Sequence, residues 1–368
     1  MEYIGQNVKS VTQNIVDDIT QSLNYLKRNI IMPTDNSSKH YIASWFYFET
    51  ADEASYYPQM GRKGNSPLAH SVYMQIQVPF FVTFRHYNPD AHLLFFTNLE
   101  KIPAFLSDLF SRLNVEVVTL SYSCKPPKGW YFAWANQFYL YDILRYMEAR
   151  LNPTDVFTII DADCICQRSL EPFFRQVIES GSGLYVNDDT DGWVSSDLNQ
   201  QQATEIYRSF YQKEPVEKLY YYGGEFISLR GDKVREVNKA YTPLWNYNLK
   251  LFSEKKPKLN QEALMFSVLA EHLQIRNNIG NGYIKRIWTN PNHFNCVPED
   301  QKLTIWHLPY EKRRGLHYLY IDLLHDGYRI KDENEFWKKA SKYCGVPSIT
   351  LWKKMRDLRQ KLRDIFIR

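Results

Sequence analysis

Phe157-Thr158-Ile159-Ile160-Asp161-Ala162-Asp163-Cys164-Ile165 decides how this chain is read. The run from Phe157 to Ile160 is apolar and rich in β-branched side chains, as a buried strand is. It stops on two carboxylates separated by Ala162, which lean to the same side of an extended backbone. Two acids aimed together repel unless a cation sits between them or one takes a proton. At the carboxyl end of a buried parallel strand, where α/β proteins bind ligands, the natural cation is a hard divalent metal. Oxygen ligands suit Mg²⁺ or Mn²⁺, and such an ion can carry a diphosphate. In an average loop the same triplet is a solvated turn; the apolar strand before it argues otherwise. So does Ser169-Leu170-Glu171-Pro172-Phe173-Phe174 after it, which reads as a capped helix start.

Outward from this point, strands and helices alternate. Tyr41–Phe48, His92–Thr97 and Val115–Leu120 read as strands, and residues 67–84, 103–113 and 130–150 as helices. That spacing predicts an α/β fold with a mostly parallel central sheet flanked by helices. The right-handed crossover rule places the loops after these strands on one edge. Beyond the acidic pair the pattern is less regular. Leu184–Val186 and Leu219–Arg230 read as strands, and residues 197–213, 233–241 and 260–272 as helices. Residues 7–31 carry apolar side chains at steps of three and four and read as an amphipathic helix, to pack on the main domain or pair with a second copy in a homodimer. The expected organisation is 1–39 as helix and linker, 40–330 as the main domain (halves 40–165 and 166–330), and 331–368 as a helical extension. In that extension Leu351, Met355, Leu358, Leu362 and Ile365 form an apolar stripe, and residues 353–368 hold seven basic side chains against Asp357 and Asp364. This is the pattern of an interfacial helix on an anionic membrane, or of a terminal helix packed by its stripe on its own domain.

The 368 residues are 44% hydrophobic, enough for a full core, and 15% aromatic, with 27 Tyr. Aromatic faces stack on sugars and bases, although most pack in cores. A net charge of +4, with the basic excess at the C-terminus, argues against nucleic acid. Five scattered cysteines show neither zinc spacing nor a disulfide framework and fit a reducing, cytoplasmic setting, with the protein peripheral on the inner face of a membrane. The N-terminus lacks the apolar centre of a signal peptide, and no stretch reaches membrane-spanning length without charges.

The Asp161-Ala162-Asp163 strand end, with βα units before it and an irregular half after it, resembles the GT-A fold of nucleotide-sugar-dependent glycosyltransferases, whose hallmark is an Asp-x-Asp motif. Three later stretches are similar to features of that family. Tyr222-Gly223-Gly224-Glu225-Phe226 resembles the glycine-containing strand bordering the sugar pocket of retaining members. Leu259-Asn260-Gln261-Glu262-Ala263-Leu264 resembles the acidic helix start near the reacting carbon. Ile305-Trp306-His307 with Lys312, Arg313 and Arg314 resembles the late histidine and basic residues on metal and diphosphate. The resemblance covers roughly residues 40–320. It implies transfer from a nucleotide sugar, a UDP-sugar, to a glycan or glycolipid acceptor, with Mn²⁺ or Mg²⁺ as cofactor and a lean toward retention.

Metal candidates are then Asp163 as direct ligand, Asp161 through water or on ribose, and His307, whose imidazole suits Mn²⁺. Lys312 or Arg313 would clamp the diphosphate. Gly223 and Gly224 permit close backbone approach to a ligand. Glu262 is placed near the reacting centre and Glu225 against donor sugar or acceptor. Asp188, Asp189, Asp191 and Trp193 would form an acceptor loop with Trp193 as stacking platform. The plainer alternatives are a core histidine at 307, a solvated cluster at 312–314, a first-turn charge at Glu262 and an acidic turn at 188–191. Two other classes compete: a haloacid-dehalogenase-type phosphatase, which also ends a strand on Asp-x-Asp, and a non-catalytic membrane-surface adaptor.

Overall fold

The computed structural model describes residues 38–188 and 190–366, with side chains to Leu362. The amphipathic segment expected at 7–31, Asp189, and the side chains of Arg363, Asp364, Ile365 and Arg368 lie outside the described residues. Residues 39–368 form one compact α/β unit.

Its centre is a six-stranded sheet built from β1 (His40–Phe46), β2 (His92–Thr97), β3 (Val115–Thr119), β4 (Val156–Ile160), β6 (Ser182–Asp188) and β7 (Tyr221–Arg230). The order is β3-β2-β1-β4-β7-β6. The first four strands are parallel, and β7 runs antiparallel to both neighbours. The sheet is therefore mostly parallel, and β7 is its one reversed strand, with β6 beyond it again parallel to the first four. The chain winds outward from β1 through β2 to β3, then returns to add β4 on the other side of β1. A crevice opens where the winding reverses, at the carboxyl ends of β1 and β4.

Alternation along the strands feeds two cores. Ile42 and Phe46 of β1 and Leu93 and Phe95 of β2 face one layer, with α1 (Pro67–Tyr87), α2 (Ala104–Leu113) and α4 (Glu171–Ser180). Tyr41, Ala43, Leu94 and Phe96 face the other, with α3 (Tyr139–Glu148), α5 (Gln200–Tyr211), α6 (Gly231–Ser253) and α7 (Glu262–His272). Each fully buried Phe, such as Phe80, Phe81 and Phe84 of α1, contributes about 1.5–3 kcal/mol relative to exposure. Ser66 caps α1 by accepting the Ala69 N–H at 3.2 Å, and Pro67 follows at the first turn.

A second sheet completes the site. It joins β5 (Cys164–Cys166), β8 (Ile284–Arg286) and β9 (Ile305–His307) in the order β8-β9-β5. Cys164 and Cys166 are buried strand residues, and all five cysteines are buried free thiols. Beyond β9 the chain runs through α8 (Gly315–His325), α9 (Glu333–Cys344) and α10 (Leu351–Phe366).

The sequence reading needs correction in several places. Residues 130–134 are not helical. Tyr56 N–H donates to Phe132 O and Trp134 N–H to Tyr56 O, and Trp134 takes φ +47°, so α3 follows only after a short 3-10 turn at Ala135–Phe138. The helix expected at 233–241 continues through Pro243 to Ser253. Residues 331–366 hold two helices, α9 and α10, and α8 before them is a helix the sequence reading did not include. No helix among the described residues is long and apolar enough to cross a membrane.

Candidate functional site

Strand pairing places every central side chain of the crevice. Where β4 ends, Asp161 N–H donates to Glu225 O at 2.9 Å, setting β7 beside the acidic pair. Cys164 N–H then folds back onto Asp161 O at 3.2 Å, and the chain re-enters a strand as β5. The antiparallel register of β5 with β9 sets His307 opposite Cys164, and Leu308 N–H donates to Asp163 O at 2.9 Å. A histidine distant in sequence by more than a hundred residues is thus locked against the Asp-x-Asp turn.

The ligand atoms converge. His307 Nε2 lies 3.3 Å from Asp163 Oδ2 and 3.9 Å from Asp161 Oδ2. One ligand atom from each of Asp161, Asp163 and His307 falls within a 4.8 Å span. Lys312 Nζ contacts the Asp163 carboxylate and donates to Gln59 Oε1 at 3.0 Å. On the far side of the imidazole, Nδ1 lies 3.4 Å from Glu225 Oε1. Arg286 grips Glu225 with both arms, Nε to Oε1 at 2.7 Å and Nη2 to Oε2 at 2.6 Å. The bidentate fork fixes that carboxylate in place.

The charges explain the proton affinities. Burial alone would raise Asp163, but the Lys312 ammonium and His307 outweigh it and hold the carboxyl well below its usual range. Glu225 is also held low: burial opposes, and Arg286 and His307 win. Asp161 goes the other way, up to about 6, through removal from bulk solvent and then the adjacent Asp163 charge. Its side chain is 41% exposed at the pocket, so of these two causes the adjacent Asp163 charge is the firmer. His307 is raised to about 9; burial opposes this, and the flanking Asp163 and Glu225 prevail. Glu262 is pushed up to about 8, first by burial and then by Asp161. One of its carboxyl oxygens is buried without a hydrogen-bond partner.

These groups line a pocket of about 420 Å³ that also includes Trp45, Tyr57, Tyr73 and Trp134. That size suits a small ligand. Two carboxylates and an imidazole fit a divalent ion of the Mn²⁺ or Mg²⁺ type, with Mn²⁺ the better match to the nitrogen donor. Glu225 Oε1, 3.4 Å from Nδ1, stands on the side where metal-bound histidines keep the outer partner that fixes ring orientation, although Nδ1 makes no hydrogen bond here.

The structure thus brings together Asp161, Asp163, His307, Lys312, Glu225, Glu262 and Gly224, all on the pocket wall. The two glycines pack against acids of the site. A side chain at Gly223 would meet the Glu225 carboxylate, and one at Gly224 the Glu262 carboxylate, so they make room for acids of the site itself. Gly223 and Arg313 are not on the pocket wall; Arg313 is half-buried, and its carbonyl accepts from Gln360 Nε2 at 2.9 Å. Trp193 is no stacking platform. Its ring is buried and its indole N–H is spent on Leu219 O at 2.8 Å. Asp188 reaches the pocket but accepts both the backbone N–H and the hydroxyl of Thr190, and Asp191 is paired with Lys218 on the surface. Sequence reasoning missed Arg286, Gln59 and Tyr73. No local pattern marks them, and only the pairing of β8 with β9 brings Arg286 to Glu225.

No protein-family model and no curated protein sequence matches the chain. Among solved structures it is similar to mouse xyloside xylosyltransferase 1 in its apo form, with TM-score 0.41 and 10% identity over 73% of this chain and 97% of that one. It is also similar to the apo structure of the bifunctional glycosyltransferase WbbM, with TM-score 0.46 and 10% identity over 83% of this chain. The chain spans 52% of the length of WbbM.

Proposed function

We propose that this protein is a metal-dependent glycosyltransferase that moves a sugar from a nucleotide-sugar donor, a UDP-sugar, to a glycan or glycolipid acceptor. The observation that carries this reading is the convergence of Asp161, Asp163 and His307 beside Lys312, in a pocket at the reversal point of a parallel sheet. Breaking a sugar–phosphate bond leaves a diphosphate on which negative charge grows. A bound Mn²⁺, with Mg²⁺ as the alternative, supplies Lewis-acid stabilisation of that charge. Asp161, Asp163 and His307 would hold the ion. Lys312 adds a fixed ammonium at the same place, and the pocket walls keep it out of bulk water, where it is worth most.

The remaining acids support retention of anomeric configuration. Inversion needs an ionised carboxylate free to take the acceptor proton. On the pocket wall Glu225 has both oxygens held by Arg286, Asp188 Oδ1 accepts twice from Thr190, and Glu262 is raised to about 8 and so keeps its proton near neutral pH. A protonated Glu262 is instead a hydrogen-bond donor facing the pocket. The acceptor reading places the protein at the inner, cytoplasmic face of a membrane.

Calorimetric titration with UDP tests the proposal. UDP binding should tighten when Mn²⁺ replaces a chelator, and Asp163→Ala should remove that dependence. Equal UDP affinity with Mn²⁺ and with chelator would overturn it, as would hydrolysis of a generic phosphoester without any sugar donor.

A further inference from the structure

Helix α10 is built inside out for a helix packed on its own domain. Leu351, Met355, Leu358 and Leu362 are 73%, 51%, 58% and 46% exposed. At about 3.6 residues per turn these positions fall on one straight stripe. The opposite face carries the charges, and they are buried. Lys353 Nζ lies 2.8 Å from Glu311 Oε1 and 2.7 Å from Asp357 Oδ2. Arg356 Nη2 lies 3.2 Å from Glu311 Oε2, and its Nη1 donates to Tyr343 O at 2.6 Å. Gln360 adds a bond to Arg313 O at 2.9 Å. Rolling the helix to hide the stripe would leave Glu311, fully buried, without its cations. The outward direction of the stripe is therefore fixed by the inner face.

The flanks of the stripe are basic. Lys354 and Lys361 sit on one side and Arg359 on the other, all exposed, and the only carboxylate between 351 and 362, Asp357, points inward. Trp352, partly exposed, stands beside the Arg359 flank and packs on Tyr343 and Tyr318. Two copies meeting stripe to stripe would crowd these like charges together. An anionic lipid surface accepts both features at once: apolar side chains enter the acyl boundary, and lysine and arginine meet phosphate headgroups.

We infer that the outer face of α10 is a docking surface for an anionic bilayer. This names the contact for the membrane side of the proposed function and rests on that reading only for the choice of leaflet. The inner face links the docked helix to the pocket, because Glu311, which it holds, precedes Lys312 in the chain.

Co-sedimentation of the full chain with phosphatidylcholine vesicles, with and without phosphatidylglycerol, tests the inference. Binding should require phosphatidylglycerol, weaken with added salt, and fall by roughly tenfold or more in Leu358→Glu and in Leu362→Glu. Thermal melting and Mn²⁺-linked UDP binding should stay as in the parent protein, which separates failure of this inference from failure of the functional reading. Absence of vesicle binding by the parent would overturn it, as would unchanged binding by both variants. A dimer that these same substitutions dissolve would overturn it too, because a second copy would then cover the stripe.

Discussion

Two clusters of buried charge meet at the dipeptide Glu311-Lys312, and they are built to opposite ends. Around Glu311 every carboxylate is matched. Two carboxylates, Glu311 and Asp357, meet Lys353 and Arg356, with Arg314 Nε a further 3.9 Å from Asp357 Oδ1, and Gly315 N–H donates to Glu311 Oε2 at 2.8 Å. Around Lys312 the balance hangs on one titratable ring. Three carboxylates, Asp161, Asp163 and Glu225, face two permanent cations, Lys312 and Arg286, and only a protonated His307 evens the count, while a buried oxygen of Glu262 lacks a partner. Buried charges left over after pairing are costly, so a fold keeps them where a ligand completes the set. The first cluster holds the C-terminal helix; in the proposed function the second takes a cation and a diphosphate.

Breaking the first cluster should cost the most. Glu311→Ala leaves Lys353 and Arg356 buried beside Asp357 alone, a loss of about 3–5 kcal/mol. The urea midpoint should fall sharply, and the folded fraction should bind UDP more weakly, because the residue ahead of Lys312 has lost its anchors. A midpoint within error of the parent would show that the cluster is solvated, and the contrast with the pocket would vanish.

The second cluster should answer in binding rather than in stability. Glu225 sits behind the His307 ring and touches neither Asp161 nor Asp163 by any hydrogen bond of its side chain. In the proposed function it is a positioning residue, held by Arg286. Glu225→Gln keeps the shape and removes the charge that orients the imidazole. Mn²⁺ affinity, read by paramagnetic resonance titration, should drop roughly 10–100-fold, while the melting temperature moves less than in Glu311→Ala. Unchanged Mn²⁺ affinity would remove Glu225 from the metal centre and return it to the role of a sugar contact.

How much of this was legible follows from how far apart the partners lie in sequence. The strand ending on Asp161 and Asp163 announces itself, because apolar run and acidic pair are adjacent. Short, nearly continuous apolar runs likewise reveal β1, β2 and β4. His307 and Lys312 are suggested by resemblance, but their approach to Asp163 depends on the β5–β9 register, which no local pattern encodes. Arg286 is wholly silent: three residues of strand, Ile284-Lys285-Arg286, carry no motif. Trp193 misled for the opposite reason. An aromatic in an acidic loop reads as a ligand platform until the structure shows its indole bonded into the core. The tail stripe was visible as amphipathic, but its direction was not, since nothing local says that Lys353 and Arg356 point inward.

The smallest effect should come from Glu262, where the second cluster meets stability. Its carboxyl is raised from 4.5 to about 8, first by burial and then by Asp161. The folded state therefore holds this proton more tightly than the unfolded chain does. Its contribution is most favourable below pH 4.5, declines as pH rises toward about 8, and is flat above that. Glu262→Gln is isosteric and cannot ionise, so its urea midpoints should lack that decline, and the variant should be the more stable protein above pH 8. Parallel curves for parent and variant would mean that Glu262 ionises freely. It would then be available to take a proton from the acceptor hydroxyl, and the argument for retention would lose its main physical support.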